Sequence, residues 1–559
     1  MATTGILRSR RSVAQLHALA GVEREIRAND NSSARKYVRD FRDAYRSYQK
    51  VLTAENVRGR IGEAGIVLIG DYHALPTSQR YLASLLREPE LHGRPMVLGV
   101  ETIFARDQHI VDEWQRGEID ESELRQRIRF DLDWGYDWAP FFDVLSAAHE
   151  HGAPIHGLDC MPREDLRKIG ARDRHAAGKI VEIRRSHPDA LILVLFGESH
   201  LAPQHLPACL TEQLNESAAA ADLPARRMLT VLQNVDALYW RAAGEASDRI
   251  EAVEVSPEVL CVFNATPLEK YENYRLCLDR WGRGDDSGPD LGPTLYNLIE
   301  GLVRFLGINL YSQHNSTQPK LLVDLMPEVY SRNSDALLRR LLSRKGFTGA
   351  QKRAMLHCVS ERGGAYLAPL NAFYVRKFDM VSATEDAARF LHHACRGLPD
   401  RVNGRHHSLR GAQDAFFAAV LEHALACFGS RILHPARTPF RDADLEELHE
   451  LTCEDLERQA SLKYPDVVDV LEFLSWYRRS ARGNSLRHAS TDWTRALAFT
   501  GRKWEYATER LGCLLGNDLY DAYLEGRLGP PALRRLFLAH LEEPGSASEV
   551  YANLNARLR

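Results

Sequence analysis

The stretch GIVLIGDYH (65–73) decides the fold, because an apolar run ends in a glycine that is followed by an acid and a histidine. A second stretch of the same design, LILVLFGESH (191–200), occurs later in the chain. Short apolar runs of this kind are typical of strands that are buried on both faces of a parallel sheet. Both stretches therefore predict a buried strand whose carboxyl end carries polar side chains.

Further apolar runs lie between and beyond these two stretches. MVLGV (96–100), PIHGL (154–158) and VLCVF (259–263) have the same texture, and segments of helical length and polar periodicity separate the first four runs. Strands that alternate with helices indicate an α/β layer fold. We predict an open, mainly parallel sheet with flanking helices.

The rest of the chain has a different organisation. Residues 1–60 predict a loose arm followed by a helix, and residues 61–281 form the predicted α/β domain. The stretch GRGDDSGPDLGP (282–293) is rich in Gly, Asp and Pro, which is typical of a linker. Residues 294–559 have helical periodicity throughout, which predicts an all-α C-terminal domain of unknown role.

Composition excludes some classes of function. The chain has 72 Lys and Arg against 76 Asp and Glu, a net charge of −4, so it is not a strongly basic nucleic-acid binder. The sequence contains no window of 18 uninterrupted apolar residues, so it predicts no membrane span. Residues 1–20 do not resemble a secretory signal. The nine cysteines are scattered without a C-x-x-C pair, so we expect a reduced, cytoplasmic protein.

Polar residues at the ends of the predicted strands identify a candidate site. In open parallel sheets, ligands bind beyond the carboxyl ends of the strands. The residues at these positions are Asp71, Tyr72, His73, Glu101, Asp159, Glu198 and His200. If the strands are neighbours, two histidines and four carboxylates converge, which suits either a divalent metal or an acid/base pair.

One motif, Gly-acid-x-His, occurs at two strand ends, which makes a functional role for its residues more plausible than a chance occurrence. Gly-Asp-Tyr-His (70–73) and Gly-Glu-Ser-His (197–200) place an acid one residue and a histidine three residues after the glycine that ends a strand. Glu101 alone could instead be a carboxylate at a helix N-terminus. The aromatic segment 130–152, with Trp134 and Tyr136, either packs on the sheet edge or forms a flat apolar wall for a ligand.

Taken together, these motifs resemble the ChaN-like haem-binding family, which is grouped with the Tiki and TraB proteins and, more distantly, with the erythromycin esterases. The resemblance covers about residues 60–240. The matching positions are Gly70, Asp71, His73, Glu101, Trp134, Tyr136, Arg172, Asp173, Gly197, Glu198, His200 and Leu201. The family usually has Glu where this chain has Asp71, and VFNATPLEKYENYR (262–275) resembles a segment that accompanies such domains in some longer bacterial proteins.

The resemblance implies a first hypothesis, a metal-dependent hydrolase that cleaves a peptide, amide or ester bond. His73, Glu101 and His200 would hold manganese, cobalt or zinc, and Glu198 or Asp71 would act as general base on the bound water. In a metal-free form, His73 or His200 would activate water directly.

Two alternatives stay open. In a haem-binding protein, Tyr72, Tyr136 or a histidine would ligate iron, and Trp134 and its neighbours would form the flat wall. In a non-catalytic sensory module, the helical half would bind a protein partner. Asp159, Arg172 and Asp173 would support the site in each case.

Overall fold

The computed structural model describes most of the chain. The described residues are 2–30, 35–160, 169–221, 228–245, 250–283, 290–311, 322–331, 335–396, 411–482, 496–541 and 543–558. The central part of the predicted linker, residues 284–289, lies outside them. The chain forms two compact units, one of residues Val22–Ser287 and the other of Met1–Gly21 with Gly288–Arg559.

The first unit is built around an eight-stranded sheet. Its strands are β1 (Lys50–Leu52), β2 (Ile66–Asp71), β3 (Met96–Phe104), β4 (Ile155–Asp159), β5 (Leu191–Gly197), β6 (Met228–Gln233), β7 (Ala252–Ser256) and β8 (Val259–Val262). Their order is β1-β7-β8-β6-β2-β5-β3-β4. All pairs are parallel except β1 with β7 and β7 with β8, which confirms the predicted mainly parallel sheet. Strands β1, β6 and β7 were not predicted from the sequence.

Helices cover both faces of this sheet. They are α1 (Ala2–Asn29, of which residues 22–29 belong to this unit), α2 (Lys36–Ala44), α3 (Ala54–Glu63), α4 (Pro76–Leu86), α5 (Gln108–Gln115), α6 (Glu121–Arg127), α7 (Phe130–Asp133), α8 (Trp138–Glu150), α9 (Ile169–Ser186), α10 (Leu206–Ala221), α11 (Asp236–Glu245) and α12 (Pro267–Arg283). Single 3₁₀ turns occur at Pro89–Leu91, Ala105–Asp107 and Glu198–Leu201. The long helix α1 differs from the loose arm that the N-terminal sequence predicted.

Two apolar cores, one on each face of the sheet, hold the layers together. Alternate residues of β2 point to opposite faces, as the strand geometry requires. Val67 and Ile69 join the core beneath α4 and α8, whereas Ile66 and Leu68 join the core beneath α9 and α10. A strand that is buried on both faces must be apolar throughout, so its first polar residues appear where it leaves the sheet.

The second unit is predominantly helical, as predicted. Besides the start of α1, its helices are α13 (Gly292–Leu306), α14 (Asp335–Arg344), α15 (Gly349–Arg362), α16 (Met380–Arg396), α17 (Ala412–Leu433), α18 (Asp442–Glu450), α19 (Cys453–Ala460), α20 (Tyr464–Arg482), α21 (Gly501–Leu524), α22 (Pro530–Phe537) and α23 (Ser546–Leu558). A small unpredicted sheet joins them, in the order β10 (Gly364–Leu367), β11 (Ala372–Val375) and β9 (Glu328–Ser331). Its strands are too short for periodicity to separate from the surrounding helices.

Helix α17 lies at the centre of the helical unit. Among the described residues, it is the one helix long and apolar enough to cross a membrane by length and composition, and 78% of its apolar window is buried inside the protein. A core helix passes the same test. Its close neighbour α21 places Gly516 against it, where a Cβ atom would lie 2.7 Å from the carbonyl oxygen of Ala424.

Candidate functional site

Strands β2, β5, β3 and β4 are consecutive neighbours, so their carboxyl ends bring the predicted residues to one rim of the sheet. β2 ends at Asp71, with Tyr72 and His73 immediately beyond it, and β5 ends at Gly197, followed by Glu198 and His200. β4 ends at Asp159, whereas Glu101 lies within β3, which is longer than predicted.

His73 is held by an aspartate from its own strand. Its Nδ1 lies 2.7 Å from Asp71 Oδ2. The amide of Gln79, a buried residue of α4, donates to the other carboxylate oxygen of Asp71. Because Asp71 accepts these bonds, it favours the imidazole tautomer with the proton on Nδ1 and leaves Nε2 of neutral His73 able to accept a proton.

His200 repeats this arrangement with an aspartate from a different element. Its Nδ1 lies 2.5 Å from Oδ1 of Asp173, which is buried on α9. The ring of His200 packs edge-on against Phe196, with 5.0 Å between the ring centroids. The Gly-acid-x-His repeat thus produces two histidines whose Nδ1 atoms are both bonded to aspartates, although only His73 takes its aspartate from the repeated motif.

Glu101 lies between the two histidines. Its Oε2 is 3.7 Å from Nε2 of His73, and its Oε1 is 3.9 Å from Nε2 of His200. The β3–β4 register shifts between Val100 and Phe104, and such an irregularity re-aims side chains at a strand end. Glu101 also accepts the backbone N–H of Gly197 at 2.5 Å.

A buried arginine completes the floor of the site. Arg172, on α9, donates to Glu101 at 2.7 Å and makes two bonds to Asp159, at 3.0 and 2.7 Å. Burial alone would raise the pKa of Glu101, but the charges of His73, Arg172 and His200 outweigh it and lower this pKa to about 2. Glu101 is therefore ionised at every pH at which the protein would be assayed.

Gly197 provides the space in front of this cluster. A Cβ atom at this position would lie 3.0 Å from Glu101 Oε2 and 3.3 Å from His73 Nε2. Contacts this short require the neighbours to move. The absence of a side chain at Gly197 thus leaves space in front of His73 Nε2 and Glu101 Oε2.

The cluster opens into a cavity of about 940 Å³. Its aromatic lining comes from Tyr37, Phe41, Tyr45, Tyr72, Tyr136, Tyr271, Tyr274 and Trp281. Trp134 instead packs in the core, edge-on to His73, so Tyr136 is the one residue of the expected wall 134–142 that lines this cavity.

Tyr72 lines the cavity beside the histidine cluster. Burial, reinforced by nearby Tyr271 and Glu198, raises its pKa well above the ordinary value, so its hydroxyl is protonated. Its ring lies 4.6 Å from the ammonium of Lys270. Tyr72 is therefore part of the wall beside Lys270.

Glu198 forms an ion pair with a lysine. Lys270, on α12, donates to both of its carboxylate oxygens, at 2.9 and 3.0 Å. Burial raises the pKa of Glu198, and the charge of Lys270 opposes that rise. Sequence reasoning did not assign a role to Lys270 or to Gln79, although the segment VFNATPLEKYENYR that contains Lys270 could have drawn attention to it.

The predicted metal ligands do not form a metal-binding group as placed. Across the part of the chain that the structure describes, no three His, Cys, Asp or Glu residues are arranged to hold a metal ion. Both oxygens of Glu101 are already engaged, by Arg172 and by Gly197, and the arginine is a cation that competes with a metal. The set His73, Glu101 and His200 therefore fits an acid/base site better than a metal centre.

Comparison with known proteins agrees with the motifs. Residues 57–191 match the family model described as "Haem-binding uptake, Tiki superfamily, ChaN". Gly197, Glu198 and His200 lie beyond this match. No curated protein matches the chain. The solved structure "Cofacial heme binding to ChaN of Campylobacter jejuni" is 13% identical, covers 38% of this chain and 92% of that chain, and has a TM-score of 0.26. Residues 57–191, in the α/β unit, are thus similar to the ChaN family of the Tiki superfamily.

Proposed function

We propose that the cavity of the α/β unit hydrolyses an ester or amide bond without a metal ion. The observation that carries this proposal is the pair of histidines whose Nδ1 atoms are bonded to Asp71 and Asp173 and whose Nε2 atoms both face Glu101. An imidazole oriented by a carboxylate in this way is the usual general base and acid of hydrolytic enzymes.

In this mechanism, His73 acts as the general base, because it is the more accessible of the two rings, with 14% of its side chain exposed against 6% for His200. Its Nε2 takes a proton from water as the water oxygen bonds to the substrate carbonyl carbon. Asp71 stabilises the imidazolium that forms.

His200 acts as the general acid. Its protonated Nε2 gives a proton to the leaving oxygen or nitrogen as the bond between that atom and the carbonyl carbon breaks. Asp173 orients the His200 ring through Nδ1, and Glu101 lies 3.9 Å from its Nε2. The products are a carboxylic acid and an alcohol or amine, and transfer of the proton from His73 to solvent and uptake of one by His200 restore the starting state.

Asp71 and Glu198 have positioning roles in this proposal, although the sequence had suggested them as general bases. Asp71 is engaged by His73 and Gln79, and Glu198 is engaged by Lys270.

The test is a screen of 4-nitrophenyl esters and anilides with the full chain and with His73→Gln, His200→Gln and Asp71→Asn. Each variant should lower kcat by about 10²- to 10⁴-fold, the range lost when general acid/base groups are removed. The matched control is His156→Gln, because His156 is a half-buried histidine of β4 that does not line the cavity. Turnover by His73→Gln at the wild-type rate would refute the mechanism.

Haem binding is the second candidate, and the size and aromatic lining of the cavity favour it. A volume of about 940 Å³ is at the upper end of the usual range for small-molecule sites. His73 or His200 would hold the iron through Nε2, and haem would supply a redox-active metal. The family description supports this reading.

A haemin titration distinguishes the two candidates. A shifted Soret band that saturates at a fixed stoichiometry and disappears in His73→Gln or His200→Gln, without ester or amide turnover, would favour haem binding. Turnover without such a band would favour hydrolysis.

A further inference from the structure

The acids that line the cavity are all engaged. Glu101 pairs with Arg172, Glu198 with Lys270, and Asp71 with His73. The three other acids that line the cavity also have partners. Asp30 accepts a hydrogen bond from Tyr274 at 2.8 Å, and Asp236 accepts one from Tyr271 at 2.5 Å. Asp133 lies 3.5 Å from Arg129. The carboxylates of the cavity thus have positive or hydrogen-bonding partners.

Two arginines of the same cavity have no such partner. Arg35 immediately precedes α2 and Arg42 lies on it, and both line the cavity and are exposed. Neither makes an ion pair or a side-chain hydrogen bond with any residue in the described ranges. The nearby Arg46, by contrast, is paired with Asp43.

The two arginines line the same cavity from the start of α2 and from its last turns. At a rise of 1.5 Å per residue, their backbones are about 10 Å apart, which two arginine side chains can span. Burial raises the pKa of Glu198, and besides Lys270 the charge of Arg42 opposes this rise, so the field of Arg42 acts inside the cavity. Val38 and Phe41 of the same helix also line the cavity, so an apolar surface adjoins the two cations.

We propose that Arg35 and Arg42 recognise a carboxylate on the ligand, so that the substrates are esters or amides of molecules that carry a free carboxylate away from the scissile bond. This inference rests on the proposed hydrolytic function. A guanidinium group with unused donors can bind a carboxylate through two parallel hydrogen bonds, and a second guanidinium adds positive charge. The adjoining apolar surface takes the chain that joins the carboxylate to the reacting carbonyl.

The family match begins at residue 57, so α2 lies outside it. The carboxylate site is therefore a property of the N-terminal part of this chain.

The experiment compares two substrates that differ mainly in charge, the 4-nitrophenyl monoester of glutaric acid and 4-nitrophenyl valerate. The wild-type protein should prefer the glutarate monoester in kcat/KM. In Arg35→Gln/Arg42→Gln this preference should fall by about tenfold or more, as expected for the loss of charge-assisted hydrogen bonds. Arg39→Gln is the matched control, since Arg39 is an exposed arginine of α2 outside the cavity lining.

A binding measurement separates this inference from the proposed function. Glutarate and its uncharged diamide are titrated calorimetrically into the wild-type protein, the double variant and Arg39→Gln. Glutarate binding that is tighter than diamide binding and is lost only in the double variant supports the carboxylate site, even if no ester is hydrolysed. Equal affinity for the two probes, or glutarate binding that survives in the double variant, overturns it.

Discussion

Lys270 and Glu198 form a buried ion pair between two elements that are distant in sequence. The ammonium lies 2.9 and 3.0 Å from the two carboxylate oxygens, and only 4% and 13% of the two side chains are exposed. The pair fixes α12 against the turn that carries His200. It thereby connects the wall of the cavity to the histidine cluster.

Replacement of this lysine should destabilise the protein. Lys270→Met leaves the buried Glu198 without its cation, and loss of one partner of a buried pair costs about 3–5 kcal/mol. We expect the free energy of unfolding, measured by urea denaturation at pH 7, to fall by this order. The double variant Lys270→Met/Glu198→Gln removes both charges, so its free energy of unfolding should be closer to that of the wild type. Equal losses of stability in the single and the double variant would contradict the role of the ion pair.

Gly197 should be required for ligand access rather than for folding. In Gly197→Ala, the added methyl group contacts Glu101 and His73, at 3.0 and 3.3 Å before relaxation. We expect turnover or ligand binding to fall by about tenfold or more with a small loss of stability, since a misplaced catalytic group has effects of this size. Gly178→Ala, in the middle of α9, is the control and should leave activity unchanged. Full activity in Gly197→Ala would show that the space is not used.

Glu101 should make the free energy of unfolding depend on pH in the acidic range. Its pKa is lowered from 4.5 to about 2 in the folded protein, so its stabilising contribution is complete above pH 4.5 and is lost as the pH falls toward 2. That contribution is about 3 kcal/mol. Urea denaturation at several pH values between 4.5 and 2.5 should show a shallower loss in Glu101→Gln than in the wild type. Parallel profiles would show that the carboxylate is not ionised at low pH.

His434, in the helical unit, should make the free energy of unfolding depend on pH in a higher range than Glu101 does. Burial, and then the charge of Arg437, lowers its pKa from 6.5 to about 4. The folded protein therefore favours neutral His434, and stability is lost as the pH falls from 6.5 toward 4, by about 3 kcal/mol in total. Denaturation profiles of His434→Gln should be flatter over this range, whereas those of His449→Gln, a change at an exposed histidine, should follow the wild type. If the stability of His434→Gln changed with pH as steeply as that of the wild type, the pH dependence would arise from other groups.

Local patterns in the sequence were sufficient to predict the central strands and the polar residues at their ends. The runs in 65–73 and 191–200 are apolar because β2 and β5 are covered on both faces, so a polar residue appears only where each strand leaves the sheet. The family resemblance followed from the same residues, and the match over 57–191 confirms it. The sequence did not predict β6. It also missed β1, β7 and the small sheet of the helical unit, whose strands have only three to five residues and therefore weak periodicity.

Only the tertiary structure decided the partners of each site residue. His200 takes Asp173 from α9, Glu198 takes Lys270 from α12, and Glu101 takes Arg172. These partners are far apart in sequence, and their pairing depends on the order of strands in the sheet and on the packing of helices over it. The sequence by itself determined which chemical groups stand at the strand ends, because burial dictates strand composition. The charge balance around His73 and His200, by contrast, arises only when distant elements meet.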